Sequence, residues 1–399
     1  MIIRPIYLKT LRKYRDIPLV KILAGIRRCG KSTILEMLKN DLMESGVSES
    51  NIISVRYTAE TLNRSMTAQE MFDEIKSQMS GQGKYYLLLD EVQEVTSWEK
   101  AVNSLLENMN VDIYVTGSNS KLMSGEISTY LTGRYISIPV YTLSFAEYIE
   151  FHKDSEFTKN ELLNEYIRKG GFPIVALGNF DDHSSYQIVE GIYTSVVTND
   201  IARRHNITNQ ELFNRVARFI VENVGKTFSA NAIVKFLKSE GRSLSVETVY
   251  NYLEWLEKAF IIYRCSRYDM QGKSLLKTQE KFYLADSSLK YCIMGFDPRS
   301  VAAMLENIVF FELRRKGYDV YVGKNETKEI DFVAIRRDEK VYVQVCRNLP
   351  EQSDREIANL LEINDNYPKY VVTLDDLAGG NINGVKIIHL ADFLLLDDY

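Results

Sequence analysis

A chain of 399 residues exceeds the size at which a single hydrophobic core keeps growing, so its length predicts two or three domains. Hydrophobic residues at 45% and charged residues at 26% exclude a fibrous repeat and an extended disordered chain. A formal net charge of −5 excludes a global basic field, so any nucleic-acid contact has to come from a local patch.

The N-terminal stretch MIIRPIYLKTLRKYRD lacks the apolar core and small-residue cleavage site of a secretory signal. No apolar run approaches the roughly 20 residues of a membrane span. Cys29, Cys265, Cys292 and Cys346 form no C-x-x-C pair, which disfavours a zinc site and a disulfide framework. A cytoplasmic protein with no membrane partner is the expectation.

Between about residues 19 and 140, short apolar runs alternate with helical patterns, the signature of a parallel sheet wrapped by helices. Candidate strands at 19–23, 51–56, 85–89, 111–115 and 135–139 read as near-continuous apolar runs, as expected when both faces are covered. Helices are expected between them at 32–43 and 97–109. Residues 141–205 turn aromatic and helical, with GGFP at Gly170 to Pro173 breaking the pattern, and read as a helical lid or connector. Residues 206–285 contain three helical patterns followed by an apolar extended run, the order of a winged helix. Ser229 and Ser245 are its expected N-caps, with Glu247 complementing the second helix dipole. From 286 to 399 a helix is followed by three strands, a helix and a further strand, a separate small α/β domain.

The string Gly25-Ile26-Arg27-Arg28-Cys29-Gly30-Lys31-Ser32 matches G-x-x-x-x-G-K-[ST] in full and lies between a predicted strand and a predicted helix. Glycines allow close backbone approach, so several N–H groups can point at phosphate oxygens, and the following helix presents its positive end to them. Gly25, Arg28, Cys29, Gly30, Lys31, Ser32 and Thr33 are therefore the expected nucleotide-binding residues. Lys31 is expected on the β- and γ-phosphates and Ser32 on magnesium. YYLLLDEVQ places Asp90 and Glu91 at the end of a buried strand, where two adjacent acids are costly without a cation nearby. Asp90 is the expected magnesium-shell ligand and Glu91 the expected polariser of the attacking water; a helix N-cap is the alternative for Asp90. VDIYVTGSNS ends in a polar tip from which Asn119 or Ser118 would orient the water or sense the γ-phosphate, unless the tip is a plain turn. Arg134, in LTGRY, either reaches a γ-phosphate in the same chain or across a subunit interface, or makes a surface ion pair.

With these residues in hand, the chain resembles a prokaryotic family of AAA+-type ATPases that carry a C-terminal domain of unknown function. The resemblance rests on G-I-R-R-C-G-K-S-T, L-L-L-D-E-V-Q, V-T-G-S-N-S, the G-R and P-V-Y-T-L-S-F-A-E-Y stretch, G-G-F-P, E-N-I-V-F-F-E-L and E-I-D-F-V-A, in that order. It implies a P-loop ATPase core over 1–140, a winged-helix region, and a terminal domain similar to PD-(D/E)xK nucleases, which are restriction-endonuclease-like. ATP and magnesium are the implied cofactors.

A nuclease of that type needs acids that gather magnesium and a lysine at the attacked phosphate. Glu306 and Asp331 supply acids, while Gln344-Val345-Cys346 stands where (D/E)-x-K belongs, with Cys346 in the lysine position. A degenerate nuclease site used for binding is the expectation, with an ion pair to Arg314 or Arg315 as the structural alternative for Glu306 and Asp331. The predicted recognition helix, SVETVYNYLEWLEKA, is acidic and aromatic, which weakens the case for DNA contact. Nearby Arg203, Arg204, Lys226, Lys235, Lys238 and Arg242 would form a basic face or a solvated helix surface. The leading expectation is an ATP-driven switch or motor. An ATP-gated nucleic-acid-binding regulator and an ATP-dependent nuclease are the alternatives, with DNA or protein partners and homo-oligomers in view.

Overall fold

The structure, a computed structural model, describes the chain except for residues 1, 58–65, 119–121, 123–129, 132, 206, 208, 271, 273, 326–327, 350–354 and 376–378. The chain folds as two compact units, Met1–Val140 with Lys258–Phe260, and Tyr141–Glu257 with Ile261–Tyr399. None of the described helices is long and apolar enough to cross a membrane.

In the first unit, the predicted apolar runs become β1 (Val20–Ala24), β2 (Ile52–Arg56), β3 (Tyr85–Asp90), β4 (Val111–Gly117) and β5 (Tyr135–Pro139). They pair in parallel in the order β2-β3-β4-β1-β5. Every residue of the three inner strands is buried, whereas β2 and β5 at the edges are partly exposed. That is why the inner strands read as unbroken apolar runs with no alternation. Helices α1 (Pro5–Tyr14), α2 (Lys31–Glu44), α3 (Ala68–Ser77) and α4 (Trp98–Asn108) accompany the sheet. The register sets Ala24 opposite Gly117 and Leu89 opposite Val115, so the carboxyl tips of β1, β4 and β3 stand side by side. In an open parallel sheet this edge is where ligands bind.

In the second unit, helix α5 (Lys159–Lys169) ends at Gly170, whose φ of 74° is left-handed. A Cβ there would lie 1.7 Å from Asp286 Oδ1, so glycine is required. The buried Asp286 accepts the Gly171 N–H at 2.8 Å and the Ser288 N–H at 3.0 Å, clasping the GGFP turn. The three predicted helices appear as α6 (Gln210–Glu222), α7 (Ala230–Ser239) and α8 (Val246–Lys258). Ser229 and Ser245 cap α7 and α8, accepting the N–H groups of Ala232 and Thr248 at 3.3 and 3.0 Å.

The next two strands, β6 (Ile262–Asp269) and β7 (Ser274–Leu284), form a hairpin that joins the strands after residue 286. Its β6 runs parallel to β8 (Asp319–Asn325) with Arg267 opposite Val322. Adding β9 (Lys328–Arg336), β10 (Glu339–Cys346), β11 (Lys369–Thr373), β12 (Gly380–Ile382) and β13 (Val385–His389) gives an eight-stranded mixed sheet in the order β12-β13-β11-β10-β9-β8-β6-β7. Helix α9 (Val301–Arg315) packs Leu305, Val309 and Phe310 against Phe332, Val341 and Val343. Helix α10 (Arg355–Leu361) packs in a separate cluster with Val333, Tyr342 and Val371. Strands β9 and β10 therefore lie between two apolar clusters, which explains the burial of their middle residues on both faces.

Candidate nucleotide-binding site

The loop from Gly25 to Gly30 leaves β1 and enters α2, which begins at Lys31. Arg28 (φ 67°) and Gly30 (φ 103°) are both left-handed, so the backbone coils back on itself on either side of Cys29. A Cβ on Gly25 would come within 2.0 Å of the Val140 carbonyl oxygen, so only glycine lets the loop pass β5 this closely. The first turn of α2 has neither a capping side chain nor an acidic residue. Its leading N–H groups and positive dipole end are thus available to an anion. The Lys31 side chain is buried and folds back over the loop, donating to the carbonyls of Gly25 at 3.0 Å and Ile26 at 3.1 Å. Ser32 is half-buried and Thr33 exposed at the start of the same helix.

The tip of β3 meets the tip of β4 through one threonine. Thr116 Oγ1 donates to Asp90 Oδ1 and accepts the Glu91 N–H at 3.1 Å. This single hydroxyl orders both acids, and its charge-assisted bond holds the buried Asp90 in place. Arg56 lies 3.4 Å from the other Asp90 oxygen. Glu91 itself is a non-glycine residue at φ 57°, a conformation that costs about 1 kcal/mol and concentrates at functional sites. Its carboxylate receives Ser118 Oγ at 3.1 Å on both oxygens, and Gln93 Nε2 on one. Burial pushes the Glu91 pKa up, but Lys31, the Gln93 bond, Arg27 and Ser118 together outweigh it, so the group is held below the usual carboxylate range. A carboxylate kept ionised beside a lysine that faces the loop can polarise a water.

The donor set fits a nucleoside triphosphate with magnesium: N–H groups at a helix start and a lysine suit phosphate, while Ser32 and Asp90 offer oxygen ligands for a hard cation. The loop, Lys31, Ser32, Asp90 and Glu91 thus occur together at one sheet edge. Asn119 lies outside the described residues, whereas Ser118, the alternative to it, is bonded to Glu91. For Arg134 the structure shows the second of its two readings. It immediately precedes β5, and its carbonyl accepts the N–H of Val20 at the start of β1. It therefore sits at the opposite sheet edge from the loop, about 16 Å away for five residues at roughly 3.3 Å each. Its guanidinium bonds Asn103 and Glu107 on α4, which is the surface ion pair of the alternative reading; it does not reach the loop within this chain. Thr116 and Gln93 are site residues that the sequence does not single out. Thr116 is legible only as part of a polar strand tip, and Gln93 only as the last residue of L-L-L-D-E-V-Q, with no role attached to it.

In the second unit, Glu306, Asp331 and Gln344 also come together. The backbone ladder between β9 and β10 ends at Phe332 and Val343. Beyond it, side chains bridge the strands, with Asp331 N donating to Gln344 Oε1 at 3.2 Å and Val345 N donating to Asp331 Oδ2 at 2.9 Å. Among the described ion pairs of Glu306 and Asp331 the counter-ion is a lysine, not Arg314 or Arg315. Lys281 of β7, absent from any motif, places its buried ammonium 2.9 Å from Glu329, 3.5 Å from Glu306 and 3.9 Å from Asp331. Burial opposes its charge, but the carboxylates, Glu306 foremost, prevail and raise its pKa. Burial also raises the pKa of Glu306, against the pull of Lys281 and the Tyr283 hydroxyl.

An AAA domain family model matches residues 18–149, and a model described as a domain of unknown function (DUF8612) matches residues 160–300. An uncharacterized protein of Haemophilus influenzae is 38% identical over 398 residues, covering 99% of both chains. An uncharacterized protein of Methanocaldococcus jannaschii is 29% identical over 387 residues, covering 94% of this chain and 82% of its own. A Walker-type ATPase of Pyrococcus abyssi superposes with a TM-score of 0.55 at 16% identity, covering 73% of this chain and 96% of its own, and shares the fold. With this loop, these strand tips and a full-length relative at 38% identity, the chain belongs to the same family as the Haemophilus influenzae protein and carries an AAA domain over residues 18–149.

Proposed function

We propose that the first unit binds ATP with magnesium and hydrolyses it, and that nucleotide state acts as a switch or motor read out by the unit after residue 140. The observation that supports this most is the chain of bonds from Glu91 N through Thr116 to Asp90 at the sheet edge shared with Lys31. In this reading the loop N–H groups and Lys31 hold the β- and γ-phosphates, Ser32 and Asp90 hold magnesium, and Glu91 orients the attacking water. Magnesium would supply charge neutralisation on the transferring phosphoryl group.

The role of the second unit is read as binding, for DNA or for a protein. Within α8, Glu247, Glu254 and Glu257 leave the expected recognition helix acidic, and Glu257 is bonded to Arg264. Arg242 and Arg215 are engaged by Glu211 and Glu240. These pairs lower the phosphate-neutralising charge on the helical segment, which favours a protein partner over duplex DNA. Lys281 among the carboxylates supports a degenerate nuclease-like centre, since the position a metal would neutralise is already neutralised.

Phosphate release measured on the full chain tests the reading. ATP turnover is expected in the wild type and loss of ATP binding in Lys31→Ala; an active Lys31→Ala chain would sink the assignment. In the same magnesium-containing reaction, added plasmid DNA is expected to stay intact, and cutting that vanishes in Asp331→Ala would overturn the degenerate-site reading. A second expected result comes from the tight passage beside β5. Gly25→Ala should weaken ATP binding at least about tenfold by calorimetry, because the loop backbone must move to clear the Val140 oxygen 2.0 Å away.

A further inference from the structure

We infer that Arg4 is a positioning residue of the phosphate-binding loop, setting the direction of the Gly30 N–H; the inference rests on the ATP reading above. Arg4 immediately precedes α1 and is 2% exposed. A buried guanidinium is costly unless its donors are satisfied, so its placement demands an explanation. Its Nη1 donates to the main-chain oxygen of Cys29 at 2.9 Å, and its Cζ lies 4.5 Å from the Tyr7 ring centroid. Helix α1 is fastened to α2 by Arg12 Nε donating to Asp41 Oδ1 at 2.9 Å. Thus the start of α1 is tied to the loop through Cys29, and the helix is tied to α2 farther along through Asp41.

The bond to Cys29 matters because of peptide geometry. In a planar trans peptide the C=O and the following N–H point in opposite directions. The described chain contains no cis peptide, so holding the Cys29 oxygen toward Arg4 turns the Gly30 N–H away from Arg4. On either side, Arg28 and Gly30 are left-handed, which is the alternating arrangement that gathers N–H groups into an anion nest. The Cys29–Gly30 peptide lies between the two left-handed residues, one peptide before the start of α2. Without Arg4, a flip of that peptide would aim a carbonyl at the phosphates in place of a donor.

The test uses the full chain as wild type, Arg4→Met and Arg4→Lys, with dissociation constants for ATP and for inorganic pyrophosphate, kcat, and melting without nucleotide. Pyrophosphate isolates the phosphate-facing part of binding. The expected result for Arg4→Met is about tenfold weaker binding of both probes, with kcat at saturating ATP within about threefold of wild type, since the lost interaction is made equally before and during the reaction. Arg4→Lys, which keeps the charge but not the planar donor, should fall between. A purely structural arginine would lower the melting temperature and leave both affinities of the folded chain unchanged, and that outcome overturns the inference. Should Arg4→Met fail to fold, Arg4→Lys decides alone, wild-type affinity for both probes counting against it. A wild type that binds neither probe would instead strike the ATP reading itself.

Discussion

Glu91→Gln is expected to lower ATP turnover by roughly 10²–10⁴-fold while leaving ATP affinity within about threefold of wild type. Glutamine keeps the shape and one acceptor oxygen, so Ser118 and the Glu91 main-chain bond to Thr116 can persist. The variant loses the second carboxylate oxygen and the negative charge that would polarise a water. The groups proposed to face the phosphates, Lys31 and the N–H donors at the start of α2, are untouched, so binding is expected to survive when chemistry does not. Single-turnover phosphate release alongside a nucleotide-binding measurement separates these two quantities. Equal turnover in the variant would remove Glu91 from the chemistry. The pH dependence has a defined sign. Because the Glu91 pKa is held below the ordinary carboxylate value by Lys31, Gln93, Arg27 and Ser118 against the opposing effect of burial, the carboxylate stays ionised as pH falls through 4.5, its unperturbed value. An acid limb due to Glu91 therefore lies below that point, and any limb near neutral pH belongs to another group.

How much of this is legible in the sequence depends on whether the chemistry is local. The loop of Gly25 to Ser32 and the DE pair after β3 are contiguous strings whose spacing is dictated by one strand-loop-helix unit, and they appear together at one sheet edge. The three inner strands of the first unit are equally legible, because strands covered on both faces must be apolar throughout. The reach of Arg134 to the loop in cis fails because a motif gives the order of residues along the chain, not the end of a parallel sheet at which each one sits; its place before β5 decides the matter. Arg4 lies 21 residues before Gly25 with no spacing rule to connect them, and only packing of α1 brings it to Cys29. The helix order of residues 206–285 is legible, but the pairing of β6 with β8 is not, since strand partners across a sheet are chosen by long-range register. Lys281 is invisible for the same reason. Its ion partners lie 25, 48 and 50 residues further along the chain.

That lysine yields the largest expected effect on stability. Replacing Lys281 by methionine keeps most of the side-chain volume on β7 but removes the ammonium shared by Glu306, Glu329 and Asp331. Removing one partner of a buried ionic cluster typically costs about 3–5 kcal/mol, because the remaining charges are left without compensation. Arg267, 3.2 Å from Glu329, relieves part of this for one carboxylate only. Glu306 has no such second cation among its described ion pairs, and the neighbouring loop is already close, since a Cβ on Gly225 would stand 3.4 Å from its Oε2. The same loop bonds to β7 on both sides of Lys281, through Gly225 N to Phe282 O and Phe228 N to Glu280 O. Loss of the ammonium is thus expected to loosen the link between the helical segment and the mixed sheet as well as the cluster itself. Urea denaturation monitored by a signal from the second unit should report the loss. Its pH dependence identifies the cause. Burial already raises the Glu306 pKa against Lys281, and removing Lys281 raises it further. A carboxyl group with a raised folded-state pKa favours the folded state most at low pH and loses that contribution as pH rises through the folded value. The deficit of Lys281→Met relative to wild type should therefore be largest near neutrality and shrink as pH falls toward about 4, the range in which carboxylates protonate. A deficit that stays constant over that range would assign the cost to packing and would refute the role of Lys281 as the counter-ion of the cluster.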